Sequence, residues 1–117
     1  MLESLGSQGY RVGQPVVDRA VEYLRRTQEA DGSWFGRWGV NYIYGTWQVL
    51  AGLAAVGVRR DDAALATGAE WLLIHQQTCG GWGESPDSYR DPHLRGQGTP
   101  TASQTAWAVL GLLAGEE

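Results

Sequence analysis

Two kinds of apolar pattern alternate along the chain. From Pro15 to about Gln28, Val16, Val17, Ala20, Val21 and Leu24 fall on one face, and Asp18, Arg19, Glu22, Arg25 and Arg26 on the other. That spacing predicts a one-sided helix with a solvated back. Pro15 suits its first turn, where a missing N–H loses no bond. About Asp62 to His75 repeats the design with Leu65, Ala69, Leu72 and Leu73, and Asp61-Asp62 stand where a cap is wanted. By contrast, Ile43 to Val56 and Ser103 to Ala114 are apolar nearly all round, with Gly and Ala spaced among larger residues. Helices of that kind are expected to be covered on both sides. Thr101-Ala102-Ser103-Gln104 has the form of a capping box opening the last one.

The alternation is also a repeat. Laying residue n over n+48 puts Leu2 on Leu50, Gly9 on Gly57, Glu22 on Glu70, Leu24 on Leu72, Gln28 on Gln76, Gly32 on Gly80 and Trp34 on Trp82. After Glu84 the second copy carries roughly twelve extra residues, at a period typical of helical hairpins. It then realigns, Trp47-Gln48-Val49-Leu50 over Trp107-Ala108-Val109-Leu110. One-sided and all-round helices in turn predict an all-α chain: part of an α/α toroid, with outer and inner layers. Met1 to Leu5 align with Val49 to Leu53, the middle of an inner helix. Residues 1–117 are therefore expected to form about two hairpins of one domain, cut at both ends. Such inner helices need neighbours, since large exposed apolar patches mark a missing partner.

Composition narrows the function. Nine arginines against thirteen acids leave a net charge of −4, with no basic patch, which argues against nucleic acid. Six Trp in 117 residues indicate a large packed or ligand-facing aromatic surface. Cys79 is the one cysteine, so no internal disulfide is possible and a cytoplasmic setting is expected. No run approaches the roughly 20 apolar residues of a membrane span, and the N-terminus does not read as a signal peptide.

The aromatics gather at two corners. Gln28-x3-Gly32-x-Trp34 returns as Gln76-x3-Gly80-x-Trp82, and the stretch Trp34 to Tyr44 holds Trp34, Phe35, Trp38, Tyr42 and Tyr44. The corners resemble the QW motifs of triterpene cyclases. With Gly36-Arg37-Trp38-Gly39-Val40-Asn41-Tyr42-Ile43-Tyr44-Gly45-Thr46 and Thr99 to Trp107, the chain resembles squalene–hopene cyclase over nearly its whole length. The resemblance implies carbocationic cyclisation of squalene or a related polyene to hopanoid-type products, with no metal or organic cofactor. A desolvated aromatic face stabilises a cation by about 2 kcal/mol or more. On this resemblance Trp38 matches an aromatic facing the cavity, and Tyr42 is a weaker candidate for substrate contact. Tyr44 matches a tyrosine of the proton-donating network. Gln28, Gly32, Trp34, Gln76, Gly80 and Trp82 match residues that brace the outer helices, the Gln bonding at a helix end and the Trp ring stacking on it. The resemblance also implies a peripheral place on the inner membrane surface.

Two departures qualify the expectation. The family's Asp-x-Asp-Asp acid is absent: Asp61-Asp62 is the only adjacent pair of aspartates, and Arg59-Arg60 precede it. The family's terminal aromatic segment is absent too. The chain alone is therefore expected to be inactive and to need the remaining cyclase segments, or a completing chain.

Trp38 and Tyr44 have no counterpart in the second copy, and non-repeated aromatics on a repeated frame point to function. Trp47, Trp71 and Trp107 lie at helical spacing among aliphatics, which points to core packing, and Phe35 is read as packing too. Cys79, His75 and His93 suggest a prenyltransferase-like zinc enzyme only weakly, because a zinc site wants three or four ligands at suited spacing. Glu84, Asp87 and Asp91, beside Pro86 and Pro92, read as a solvated loop. A non-catalytic helical-repeat interaction module is the remaining alternative.

Overall fold

The computed structural model of the chain describes residues 2–36 and 40–116. Trp38 lies outside them. Five helices carry the fold: α1 (Leu2–Ser7), α2 (Pro15–Thr27), α3 (Tyr42–Ala55), α4 (Ala63–Ile74) and α5 (Ala102–Glu116). Two 3-10 helices, Pro86–Tyr89 and Pro92–Leu94, lie in the insertion, and no strand occurs among the described residues. The chain is all-α, as the two periodicities require.

The inner elements α1, α3 and α5 lie side by side, with α3 touching both others. The outer helices α2 and α4 present their apolar stripes to this layer. In α2 the stripe is Val17, Ala20, Val21 and Leu24. Val16 falls at its rim and is 47 % exposed, contrary to its expected place on the buried face. In α4 the buried set is Ala64, Leu65, Gly68, Trp71 and Leu72. Leu73, one step (about 100°) around the helix from Leu72, leaves the core and is 58 % exposed.

Asp62 caps α4 as expected, its Oδ1 accepting from Ala64 N at 3.0 Å. Its Oδ2 holds Arg25 of α2 at 2.5 Å, which ties the two outer helices. The capping box of α5 forms by half. Thr101 Oγ1 accepts from Gln104 N, but Thr101 N donates to Trp82 O, so the Gln104 side chain is free to turn inward.

Helix α3 is buried along Tyr42, Ile43, Gly45, Thr46, Leu50, Gly52 and Leu53 and half-buried on the face of Tyr44, Trp47 and Ala51, while α5 is more open. Val109, Leu110 and Leu113 of α5 are between 40 % and 53 % exposed, as expected of an all-round apolar helix that lacks a neighbour. Their neighbours on that side are not supplied by these residues. No helix among those described is long and apolar enough to cross a membrane.

Candidate functional site

The two corners share one wiring. In the first, Gly32 N donates to Glu29 O and Glu29 N to Ser33 O; in the second, Gly80 N donates to Gln77 O and Gln77 N to Gly81 O. Both turns require a left-handed residue, and Gly32 and Gly80 supply it at φ 99° and 92°. The indole N–H of Trp34 donates to Leu24 O at 2.8 Å, and that of Trp82 to Leu72 O at 2.7 Å. Each Trp backbone N–H is taken by a threonine of the following inner helix, Thr46 or Thr105, at 3.0 Å. These threonines sit one residue out of register with the Trp47–Trp107 match.

The glutamines differ. Gln28 Nε2 lies at 2.9–3.0 Å from Gly32 O, Ala64 O and Thr67 Oγ1, joining the end of α2 to the start of α4. Gln76 Nε2 reaches Gly80 O alone. In both corners the indole is anchored through its N–H to a carbonyl of the preceding outer helix.

The aromatic stretch is clasped at its base. Gly36 N donates to Asn41 Oδ1 at 3.3 Å, closing the segment that contains Trp38. Helix α3 has no cap from its own N-terminal residue. Its first amides, Asn41 N and Ile43 N, both donate to Glu84 Oε1 at 2.9 Å. Asn41 Nδ2 donates to Ser88 Oγ at 3.3 Å. Gln104 completes the junction: Nε2 donates to Val40 O and Glu84 O at 3.1 Å, and Oε1 accepts from Glu84 N and the Thr101 hydroxyl.

Glu84 is 4 % exposed, so it is no part of a solvated loop. An anionic oxygen at a helix N-terminus satisfies otherwise orphaned N–H groups and interacts well with the helix dipole. Its second oxygen, Oε2, is buried without a hydrogen-bond partner among the described residues. Asp87 and Asp91 do lie at the surface. Partial burial, then the Glu84 charge, holds the Tyr89 phenol above its ordinary pKa of 10.0.

The sequence-derived candidates divide among different settings. Tyr42 is 5 % exposed, with Phe35 edge-on at 5.7 Å and the Arg95 guanidinium 4.6 Å above its ring. Arg95, from the insertion, also pairs with Glu29 at 2.8 Å and Asp31 at 3.4 Å. Burial opposes the charge on Asp31, but bonds from Ser33 and the Arg95 charge outweigh it and lower the carboxyl pKa. Asp31 Oδ2 also accepts from Trp71 Nε1 at 3.0 Å.

Tyr44 is half-buried in an aromatic trio. Trp107 lies 4.9 Å away and Trp47 5.3 Å, both edge-on, while the two indoles stack on each other at 6.2 Å. Gln48 Nε2 donates to the Tyr44 hydroxyl at 3.2 Å. Trp71 is core, whereas Trp47 and Trp107 are half-buried on the inner face rather than enclosed. The open side of that face is a groove lined by Trp47, Ala51, Ala54, Ala55, Leu110 and Ala114, with Glu3 of α1 also on its wall. It offers the Trp47 ring and small apolar residues, a surface suited to a hydrocarbon, with the exposed Glu3 at its edge.

Among the described residues no three His, Cys, Asp or Glu converge as metal ligands. His75 Nδ1–H is bonded to Trp71 O at 2.8 Å, and Cys79 is exposed. The residues that sequence reasoning missed are Glu84, Gln104 and Arg95. A signal existed for Glu84, which occupies the repeat slot of Gly36 and is as non-repeated as Trp38.

Comparison with known proteins fits this geometry. The family model for the squalene-hopene cyclase C-terminal domain matches residues 1–117. A squalene–hopene cyclase of Bradyrhizobium diazoefficiens is 49 % identical over 118 aligned residues, covering 100 % of this chain and 18 % of that protein. One from Alicyclobacillus acidocaldarius is 51 % identical, covering 98 % of this chain and 18 % of its own length. A dammaradiene synthase of Dryopteris crassirhizoma is 51 % identical over 84 % of this chain and 16 % of its own. The chain thus spans less than a fifth of the length of these relatives.

Proposed function

Because the chain belongs to the squalene–hopene cyclase C-terminal domain family, we propose that it forms part of the cavity wall of a polyene cyclase acting on squalene or a close relative. The observation that carries this reading is the half-buried face of Tyr44, Trp47 and Trp107 on α3 and α5. A polyene folded on such a wall is protonated at one end and closes ring by ring through carbocations. Aromatic quadrupoles lower the energy of those cations where water is excluded. Trp38 supplies such a face, and Tyr44, with Gln48 on its hydroxyl, supports the proton source. Tyr42, its ring covered by Arg95, acts as a strut behind the wall more than as a face toward it.

The QW residues Gln28, Gly32, Trp34, Gln76, Gly80 and Trp82 brace the frame. The proton donor comes from segments beyond these residues, since the family's Asp-x-Asp-Asp run does not occur in this sequence. A position on the membrane surface, where an apolar substrate is drawn from the bilayer, belongs to the same reading.

The test is a chimera in which residues 1–117 replace the matching stretch of the Bradyrhizobium cyclase. Squalene should yield a polycyclic product by gas chromatography and mass spectrometry. Trp38→Ala should lower turnover about 30-fold, the rate equivalent of roughly 2 kcal/mol of cation stabilisation. A folded chimera that forms no cyclised product, or a Trp38→Ala variant with undiminished turnover, sinks the reading.

A further inference from the structure

At three places the second corner departs from the first, and those departures converge on the first corner's aromatic segment. Glu84 stands where the repeat puts Gly36, Gln104 opens the helix that follows, and Ser88 belongs to the insertion. Glu84 Oε1 holds Asn41 N and Ile43 N, Gln104 Nε2 holds Val40 O, and Ser88 Oγ holds the Asn41 amide. Asn41 in turn closes on Gly36 N. Residues 40–43 are therefore held by groups 41 to 64 positions away in sequence, and Gly36 is tied to them through Asn41. Glu84, Ser88 and Gln104 are all buried.

Stability of the outer frame does not call for this arrangement. The QW bonds of both corners are made without Glu84. A carboxylate buried with one oxygen unpartnered is costly to keep, and its cost falls at the one junction the proposed reaction uses.

We propose that Glu84, seated by Gln104, is a positioning residue that sets the pose of Val40 to Tyr44 at the start of α3 in the cavity wall. The inference rests on the cyclase reading for its consequence in catalysis, but not for its structural content. Glu84 touches neither substrate nor reacting atoms. It acts through the amides at the start of α3, whose first turn carries Tyr42 and Tyr44.

Two readouts in the chimera test it. The first is backbone hydrogen exchange, which needs no turnover. In Glu84→Ala, exchange over residues 40–43 should rise about fivefold or more, the equivalent of losing a typical helix cap. Exchange in α2 and α4 should stay within about twofold, because their own bonds are intact. The second is the product mixture. A displaced aromatic segment should raise the share of incompletely cyclised products, with kcat falling more than KM rises.

Glu84→Gln keeps an acceptor for the two amides and should restore most of the protection and of the parent product ratio. Unchanged exchange at 40–43 in Glu84→Ala overturns the proposal. So does a uniform rise across all helices, which means general destabilisation. Should Glu84→Ala fail to fold, Gln104→Ala decides, since it removes the partner of Val40 O and the seat of Glu84 and so predicts a local rise at 40–43, and unchanged exchange there refutes the proposal. Parent-like exchange without any cyclised product would defeat the cyclase reading alone.

Discussion

Gln28 and Gln76 are the same residue in the same motif, yet their neighbours differ. Gln28 bonds three acceptors and bridges two outer helices, while Gln76 bonds one carbonyl in its own turn. Gln28→Ala should therefore cost about 1–3 kcal/mol of stability, the range for leaving buried acceptors unpaired, measured by denaturant unfolding of the chimera. Asp31 makes a pH-dependent contribution. Its folded pKa lies below the ordinary carboxyl value of 3.8, so the stabilisation is fully present above that value and is lost as pH falls through the folded pKa. In Asp31→Asn the melting temperature should fall at pH 7, and its decline below about pH 4 should become shallower. A pH profile parallel to the parent's would mean that the carboxylate contributes nothing through ionisation.

At the scale of elements, the start of α3 leaves no room for an added side chain at Gly45. A Cβ on Gly45 would meet Gly36 N at 2.8 Å and the Trp34 carbonyl closer still. Backbone cannot retreat as a flexible side chain can, so Gly45→Ala should destabilise by about 1–3 kcal/mol. It should also disturb the aromatic segment, seen as altered near-ultraviolet circular dichroism. Helix identity was legible from periodicity, because 3.6-residue stripes and all-round apolar runs dictate which faces can be hidden. The QW corners were legible because Gly and Trp recur at fixed spacing. Glu84 was not, because a glutamate beside Ser85-Pro86 carries the composition of a loop. Its partners lie 41 and 43 residues upstream, at a distance no local pattern reports. Arg95 escaped for the same reason, since its pairing with Glu29 spans 66 positions. The half-exposed Trp47 and Trp107 were taken for core because helical spacing places residues on a face without telling what covers it.

Across the whole molecule, the apolar residues left open on α5 and the aromatic trio share the inner layer. Exposed apolar surface of that kind binds hydrophobic dyes and promotes association. The 117-residue chain should therefore bind anilinonaphthalene sulfonate and sediment as oligomers, and Leu110→Glu with Leu113→Glu should reduce both. A monodisperse monomer without dye binding would contradict the packing described. The bonds that fix the aromatic segment have a consequence in time as well as in space. On a ribosome, Val40 and Asn41 are made well before their partners, and Gln104 follows Val40 by 64 positions. At about 5–20 residues per second, the aromatic stretch waits roughly 3–13 s without its fastening groups. During that interval it is a greasy, unanchored loop on a half-made protein. Nascent chains paused between residues 84 and 104 would be the ones most exposed to chaperones and proteases.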